Sequence, residues 1–123
     1  GELANGLGNT ISRVFTLAER NSVRFEIPES LFLSLNEDFY NFRPDKSLEL
    51  IFSKVSALNK DINEKEPWKI QDKIELEILL KNYLNEIYFI ILNLKPYIPE
   101  TGEGVLDSLK NNYSKKNFFP RLN

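Results

Sequence analysis

At 123 residues the chain suits one domain, and roughly two-thirds of the surface of an unfolded chain this long can be buried. With 41% hydrophobic and 28% charged residues, its composition is that of a soluble globular protein rather than a disordered tail. Cysteine and histidine are both absent and the net charge is −2; this excludes a disulfide framework, a Cys/His zinc site, a thiol nucleophile and a histidine general base, and it requires any RNA contact to come from a local site.

Helical periodicity recurs along the chain, and strand signals are nearly absent. The first segment sets Leu3, Leu7, Ile11, Val14, Phe15 and Ala18 on one stripe and ends near Arg20-Asn21. A connector through Ile27-Pro28 leads to a short helix that Ser30 can cap, carrying Leu31, Leu35, Phe39 and Phe42. Pro44 fits the first turn of a third helix, where its missing N–H costs nothing. That helix carries Leu48, Ile51, Phe52, Val55, Leu58 and Ile62. Its end is marked by Asn63-Glu-Lys-Glu66, because the residue before Pro67 is pushed away from helical geometry.

A fourth helix is expected from near Gln71 to about Asn93, with Ile74, Ile78, Tyr83, Leu84, Ile87, Ile91 and Leu94 as its stripe. It becomes apolar on most sides toward its end, the mark of a central helix. Its most apolar stretch, residues 87–94, is far shorter than the ~20 residues of a membrane span. Lys95-Pro-Tyr-Ile-Pro99 breaks it, and a short fifth helix follows from Glu100 to about Lys110 with Val105, Leu106 and Leu109. The tail is polar and basic until Phe118-Phe-Pro-Arg-Leu122, whose adjacent phenylalanines are expected to dock. The reading is an all-α bundle of about five helices, one domain over residues 1–123 without internal repeats. The opening Gly1 and the lack of any methionine fit a piece processed or excised from something longer.

Few residues carry a chemical signal. Gly6-Leu-Gly8 lacks the third glycine and the preceding strand of a dinucleotide fingerprint, so these glycines read as helix positions that let another helix approach. Asn9 and Arg13 project together off the apolar stripe. Both side chains can form bidentate bonds to a base edge, although spacing alone favours an ordinary solvated polar pair. Trp68, the sole tryptophan, follows Pro67 in a stiffened loop. It suits a stacking platform for an unpaired base or a lid on the core, and periodicity does not decide between them. Ser114-Lys-Lys116 and Arg121 read as a solvated basic tail with no phosphate cradle, and Glu75 and Glu77, two apart on a helix, form no acid/base dyad.

Four blocks then carry a resemblance. Glu2-Leu-Ala-Asn-Gly-Leu-Gly-Asn9 with Ser12-Arg13 is similar to the start of the anticodon-binding helical domain of class I aminoacyl-tRNA synthetases. Ile62-Asn-Glu-Lys-Glu-Pro67-Trp68 resembles that domain's proline–tryptophan turn, and Leu94-Lys-Pro-Tyr-Ile-Pro-Glu-Thr101 its penultimate break. Phe119-Pro120-Arg121-Leu122 resembles the ending typical of methionyl-tRNA synthetases. The blocks occur in the same order as in that family and span nearly the whole chain.

The resemblance implies that Asn9, Arg13 and Trp68, with Pro67 shaping the loop, recognise a CAU anticodon. The tryptophan would stack chiefly on the first base, while Asn9 and Arg13 bond bases or anchor the loop. It further implies a cytoplasmic parent enzyme that ligates methionine to its tRNA using ATP, with tRNA and the enzyme's own catalytic domain as partners. The family's His-Ile-Gly-His-type ATP motif has no counterpart here, since the chain contains no histidine. This chain is therefore expected to be non-catalytic, with no cofactor or metal of its own. Two other readings stay open: the same domain from an isoleucine, valine, leucine or cysteine enzyme, and a helical protein–protein interaction module with Trp68 buried in its core.

Overall fold

The 19-residue helix α1, Glu2–Arg20, forms because its apolar residues recur every three or four positions. Leu7, Ile11, Val14, Phe15 and Ala18 all lie buried along that stripe. The computed structural model describes residues 2–26 and 44–114. Within them the chain forms four α-helices and one 3-10 turn: α1, α2 (Pro44–Lys65), the turn Pro67–Lys69, α3 (Lys73–Leu94) and α4 (Pro99–Lys110). All four helices lie close to their expected bounds, and no strand occurs among the described residues. The expected short helix with Leu31, Leu35, Phe39 and Phe42 lies outside the described residues, as does the Phe118-Phe119 tail.

Helix α2 buries Ile51, Val55, Leu58 and Ile62. Phe52, expected on the same stripe, is instead exposed, as is Leu50. Helix α3 begins where Asp72 accepts bonds from the backbone N–H groups of Ile74 (2.9 Å) and Glu75 (3.2 Å), a side-chain N-cap. It packs against the other three helices and the turn, so it is the central element. The expected α3 stripe needs correction at its start: Ile74 and Ile78 face solvent, and Leu76, Leu79 and Leu80 are buried in their place. Ile74 and Ile78 share the same four-residue spacing as the core residues but sit on the opposite side of the helix. Where a helix is apolar on several sides, periodicity alone does not choose the buried one.

Helices α2 and α3 run antiparallel, since Lys54 pairs with Glu86 (3.5 Å) while Asp61, further along α2, accepts from the Tyr83 hydroxyl (2.8 Å), earlier on α3. Burial, then the bond and charge of Asp61, push the Tyr83 phenol well above its ordinary range. Helix α4 turns back over the end of α3, burying Val105, Leu106 and Leu109. The close approach expected at Gly6 occurs elsewhere. A Cβ at Gly6 would meet Asn59 Nδ2 at 3.8 Å, an ordinary contact, so no glycine is required there. At Gly102 it would stand 3.3 Å from the Lys95 backbone Cα, because the Lys95–Ile98 bend folds α4 tightly against the end of α3.

Three helix ends share one device. Ser22, Glu66 and Asn112 have φ of 56°, 45° and 57°, left-handed residues that stop α1, α2 and α4. At α1 the Val23 N–H returns to the Ala18 carbonyl (2.9 Å) and the Ser22 N–H to Glu19 (3.3 Å), a Schellman motif. At α4 the Tyr113 N–H returns to Ser108 (2.8 Å) in the same way. The two ends meet: the buried Tyr113 hydroxyl donates to the Val23 carbonyl (2.6 Å), and its ring lies 5.0 Å from Phe15. No helix among the described residues is long and apolar enough to cross a membrane.

Candidate nucleic-acid interface

The end of α2 differs from the other two. The Glu66 N–H bonds the Ile62 carbonyl (3.0 Å), but the next residue is Pro67, which has no N–H to send back into the helix. The chain passes instead into a 3-10 turn, closed by Lys69 N–H to the Glu66 carbonyl (2.8 Å) and Ile70 N–H to the Pro67 carbonyl (3.2 Å). With about three residues per turn, successive side chains leave in three directions. Pro67 is buried, Trp68 projects outward, and Glu66 and Lys69 share the third side as an ion pair of 3.4 Å.

The Arg13 guanidinium on α1 lies 5.4 Å from the centroid of the Trp68 ring. Such a contact at an exposed site contributes roughly 0.5–1 kcal/mol. The indole remains 47% exposed. Trp68 is thus not a lid sealed into the core, as the interaction-module reading requires. Asn9, one helical turn before Arg13, is also exposed. Three of the residues expected from the sequence, Arg13, Pro67 and Trp68, are therefore brought into one place, and Asn9 stands beside them on the same helix face.

Between Asn9 and Arg13 the chain turns inward. The Thr10 hydroxyl is buried, donates to the Gly6 carbonyl (2.8 Å) and meets the side-chain amide of Asn59 on α2. This polar lock sets α1 against α2 near the end of α2 that carries the tryptophan turn. Thr10, Asn59, Glu66 and Lys69 were not among the expected site residues. The one available signal was the proline after Glu66, which forbids the second closing bond seen at the other two ends and so carries the chain straight into the turn.

The arrangement offers a flat apolar surface with a cation against it and amide and guanidinium donors at its rim. An unpaired base can stack on such an indole, and the donors can reach its edge. Nothing comparable forms at the acidic positions: Glu77 pairs with Lys81 (3.2 Å) and Glu103 with Lys95, which holds the Glu103 carboxyl below its ordinary range. No group of three or more potential metal ligands occurs among the described residues. Ser114 is exposed, and the basic residues Lys115, Lys116 and Arg121 lie outside the described residues.

Several curated proteins share this sequence pattern. The methionine–tRNA ligase of Clostridium acetobutylicum is 28% identical over 127 residues, which cover 88% of this chain and 20% of that protein. The methionine–tRNA ligase of Bacillus mycoides is 29% identical over 135 residues, covering 97% of this chain and 25% of its own length. That of Corynebacterium efficiens is 29% identical over 126 residues, with shares of 88% and 21%. The chain thus spans a fifth to a quarter of the length of the curated relatives it matches. No family model and no solved structure matches it.

Proposed function

We propose, taking this chain as a relative of the methionine–tRNA ligases along nearly its whole length, that it is the anticodon-recognising helical domain of such an enzyme. The observation that carries the reading is the half-exposed Trp68 indole backed by the Arg13 guanidinium, with Asn9 one turn away on α1. The first base of a CAU anticodon, a cytosine, stacks on the free surface of the indole. Arg13 supports the ring from its own side, and Asn9 and Arg13 offer donors to the edges of the splayed bases. Pro67 acts through the backbone: with no N–H to return to α2, it carries the chain into the 3-10 turn from which Trp68 points outward.

Ligation of methionine and the use of ATP belong to the remaining part of the parent enzyme, which is also this domain's intramolecular partner. This chain has no histidine for the family's ATP motif and does not aminoacylate by itself. With a net charge of −2, it gains little from indiscriminate phosphate neutralisation, so its RNA affinity depends on this one site.

A fluorescence titration tests the reading directly. Trp68 emission changes on adding an anticodon stem-loop bearing CAU, and changes far less with the same loop altered at its first base. Trp68→Ala lowers affinity for the CAU loop by ~5- to 150-fold, the equivalent of ~1–3 kcal/mol for one stacked base. Equal, salt-sensitive responses to both loops would reduce the site to generic RNA contact. Tighter binding of the loop of another class I cognate would reassign the enzyme but keep the domain.

A further inference from the structure

The ion pair on the third side of the turn takes no part in stacking or in reading a base edge. Glu66 and Lys69 meet at 3.4 Å, with 44% of the glutamate and 66% of the lysine side chain in solvent. A pair this exposed is weak and readily exchanged for another partner. Its position is set by the backbone: the left-handed Glu66 opens the 3-10 turn, and residues three apart in such a turn lie on the same side. Lys69 therefore emerges beside the indole, directly after Trp68 in the chain.

A base cannot stack on Trp68 without bringing its own phosphodiester close to this turn. A bare carboxylate there would repel it, and the Glu66–Lys69 pair cancels that charge while the site is empty. Lysine carries a point charge on a flexible four-carbon stem, suited to following a phosphate rather than reading an edge. We infer that Lys69 is the backbone-phosphate contact of the Trp68 platform, held by Glu66 in the free protein and transferred to the phosphodiester of the stacked nucleotide on binding. The inference rests on the anticodon reading for its ligand and adds to it a residue that contributes affinity without sequence information.

The test is the salt dependence of binding. Affinity for the CAU stem-loop and for the loop changed at its first base is measured between 50 and 200 mM salt, for the wild-type chain, Lys69→Ala, Glu66→Gln and Lys110→Ala. Loss of one single-strand phosphate contact lowers the log–log slope by ~0.7, so affinity falls ~2.6-fold less across this fourfold salt range. Lys69→Ala is expected to show that change and to weaken both loops equally. Glu66→Gln, which frees Lys69, tightens both, and Lys110→Ala, in the last turn of α4, leaves the slope alone.

An unchanged slope in Lys69→Ala overturns the inference. So does a loss confined to the CAU loop with altered Trp68 emission, because Lys69 would then merely hold the turn. Wild-type indifference to the first base overturns the anticodon reading instead, while Lys69 still stands or falls by its slope. Absence of any RNA binding removes both.

Discussion

Two helix ends in this protein start from the same local geometry and deliver an aromatic ring to opposite destinations. Helices α2 and α4 both stop at a left-handed residue, Glu66 and Asn112, and neither of these is glycine. After Asn112 the next residue is Tyr113, whose N–H closes onto the Ser108 carbonyl and whose ring enters the core against Phe15. After Glu66 the next residue is Pro67, which closes nothing, so the chain runs on into a turn that leaves Trp68 in solvent over Arg13. The position after the left-handed residue is buried at both ends, by Tyr113 and by Pro67. Tyr113 is itself left-handed (φ 60°), which a proline cannot be. The ring left in solvent, Trp68, stands one residue further on, where Ser114 is likewise exposed.

The largest test of that contrast is truncation of each ring. Tyr113→Ala should cost ~3–5 kcal/mol, as for other large buried aromatics, read as a lowered urea midpoint. Trp68→Ala should cost less, ~1–2 kcal/mol by the same measurement, because only about half of the indole is buried and the cation–π contact goes with it. Comparable losses at the two sites would make Trp68 a core residue and break the comparison.

A smaller effect sharpens the buried side. Tyr113→Phe leaves the Val23 carbonyl without its donor and should cost ~1–2 kcal/mol. Burial, only partly offset by Arg24, pushes the Tyr113 phenol up to about 12. In the unfolded chain a tyrosine loses its proton near pH ~10. Between those values the unfolded state binds fewer protons than the native state, so stability falls as pH rises. Urea midpoints should therefore be flat below pH ~10 and decline above it, less steeply in Tyr113→Phe. Tyr83, displaced in the same direction, keeps part of the decline in that variant.

The smallest stability effect is expected at the proline itself. Pro67→Ala should cost ~0.5–1 kcal/mol, mainly through the greater freedom of the unfolded chain. It also restores the N–H that lets the α2 end close as the α1 and α4 ends do. The measurable consequence is at Trp68, whose emission and response to a CAU stem-loop should change although stability hardly does. An unaltered Trp68 signal in Pro67→Ala would show that something other than the missing N–H aims the ring.

Element positions were legible because their causes are local. Each helix is written in a three-to-four residue apolar rhythm, and Pro44, Pro67 and Pro99 punctuate the chain where the structure starts or breaks an element. Ile74, Ile78 and Phe52 show where this reading fails. They obey the right rhythm yet point to solvent, since rhythm gives the spacing of a face but not which face meets the neighbours. The tight glycine was misplaced for a related reason. Whether a helix approaches within reach of Gly6 or of Gly102 depends on where the partner backbone lies, not on the glycine's own neighbours.

The candidate site divides along the same line. Asn9 and Arg13 on one helix face, and a proline that forces Trp68 into a turn, follow from the sequence by itself, because helical pitch and a missing N–H act over a few residues. That the Arg13 guanidinium lies over the Trp68 ring, that Thr10 locks onto Asn59 beside them, and that Tyr113 reaches back to the Val23 carbonyl were decided only in the tertiary structure. These contacts join residues far apart in the chain. They exist only once the four helices have buried their shared apolar faces, which sets the distances that no local rule contains.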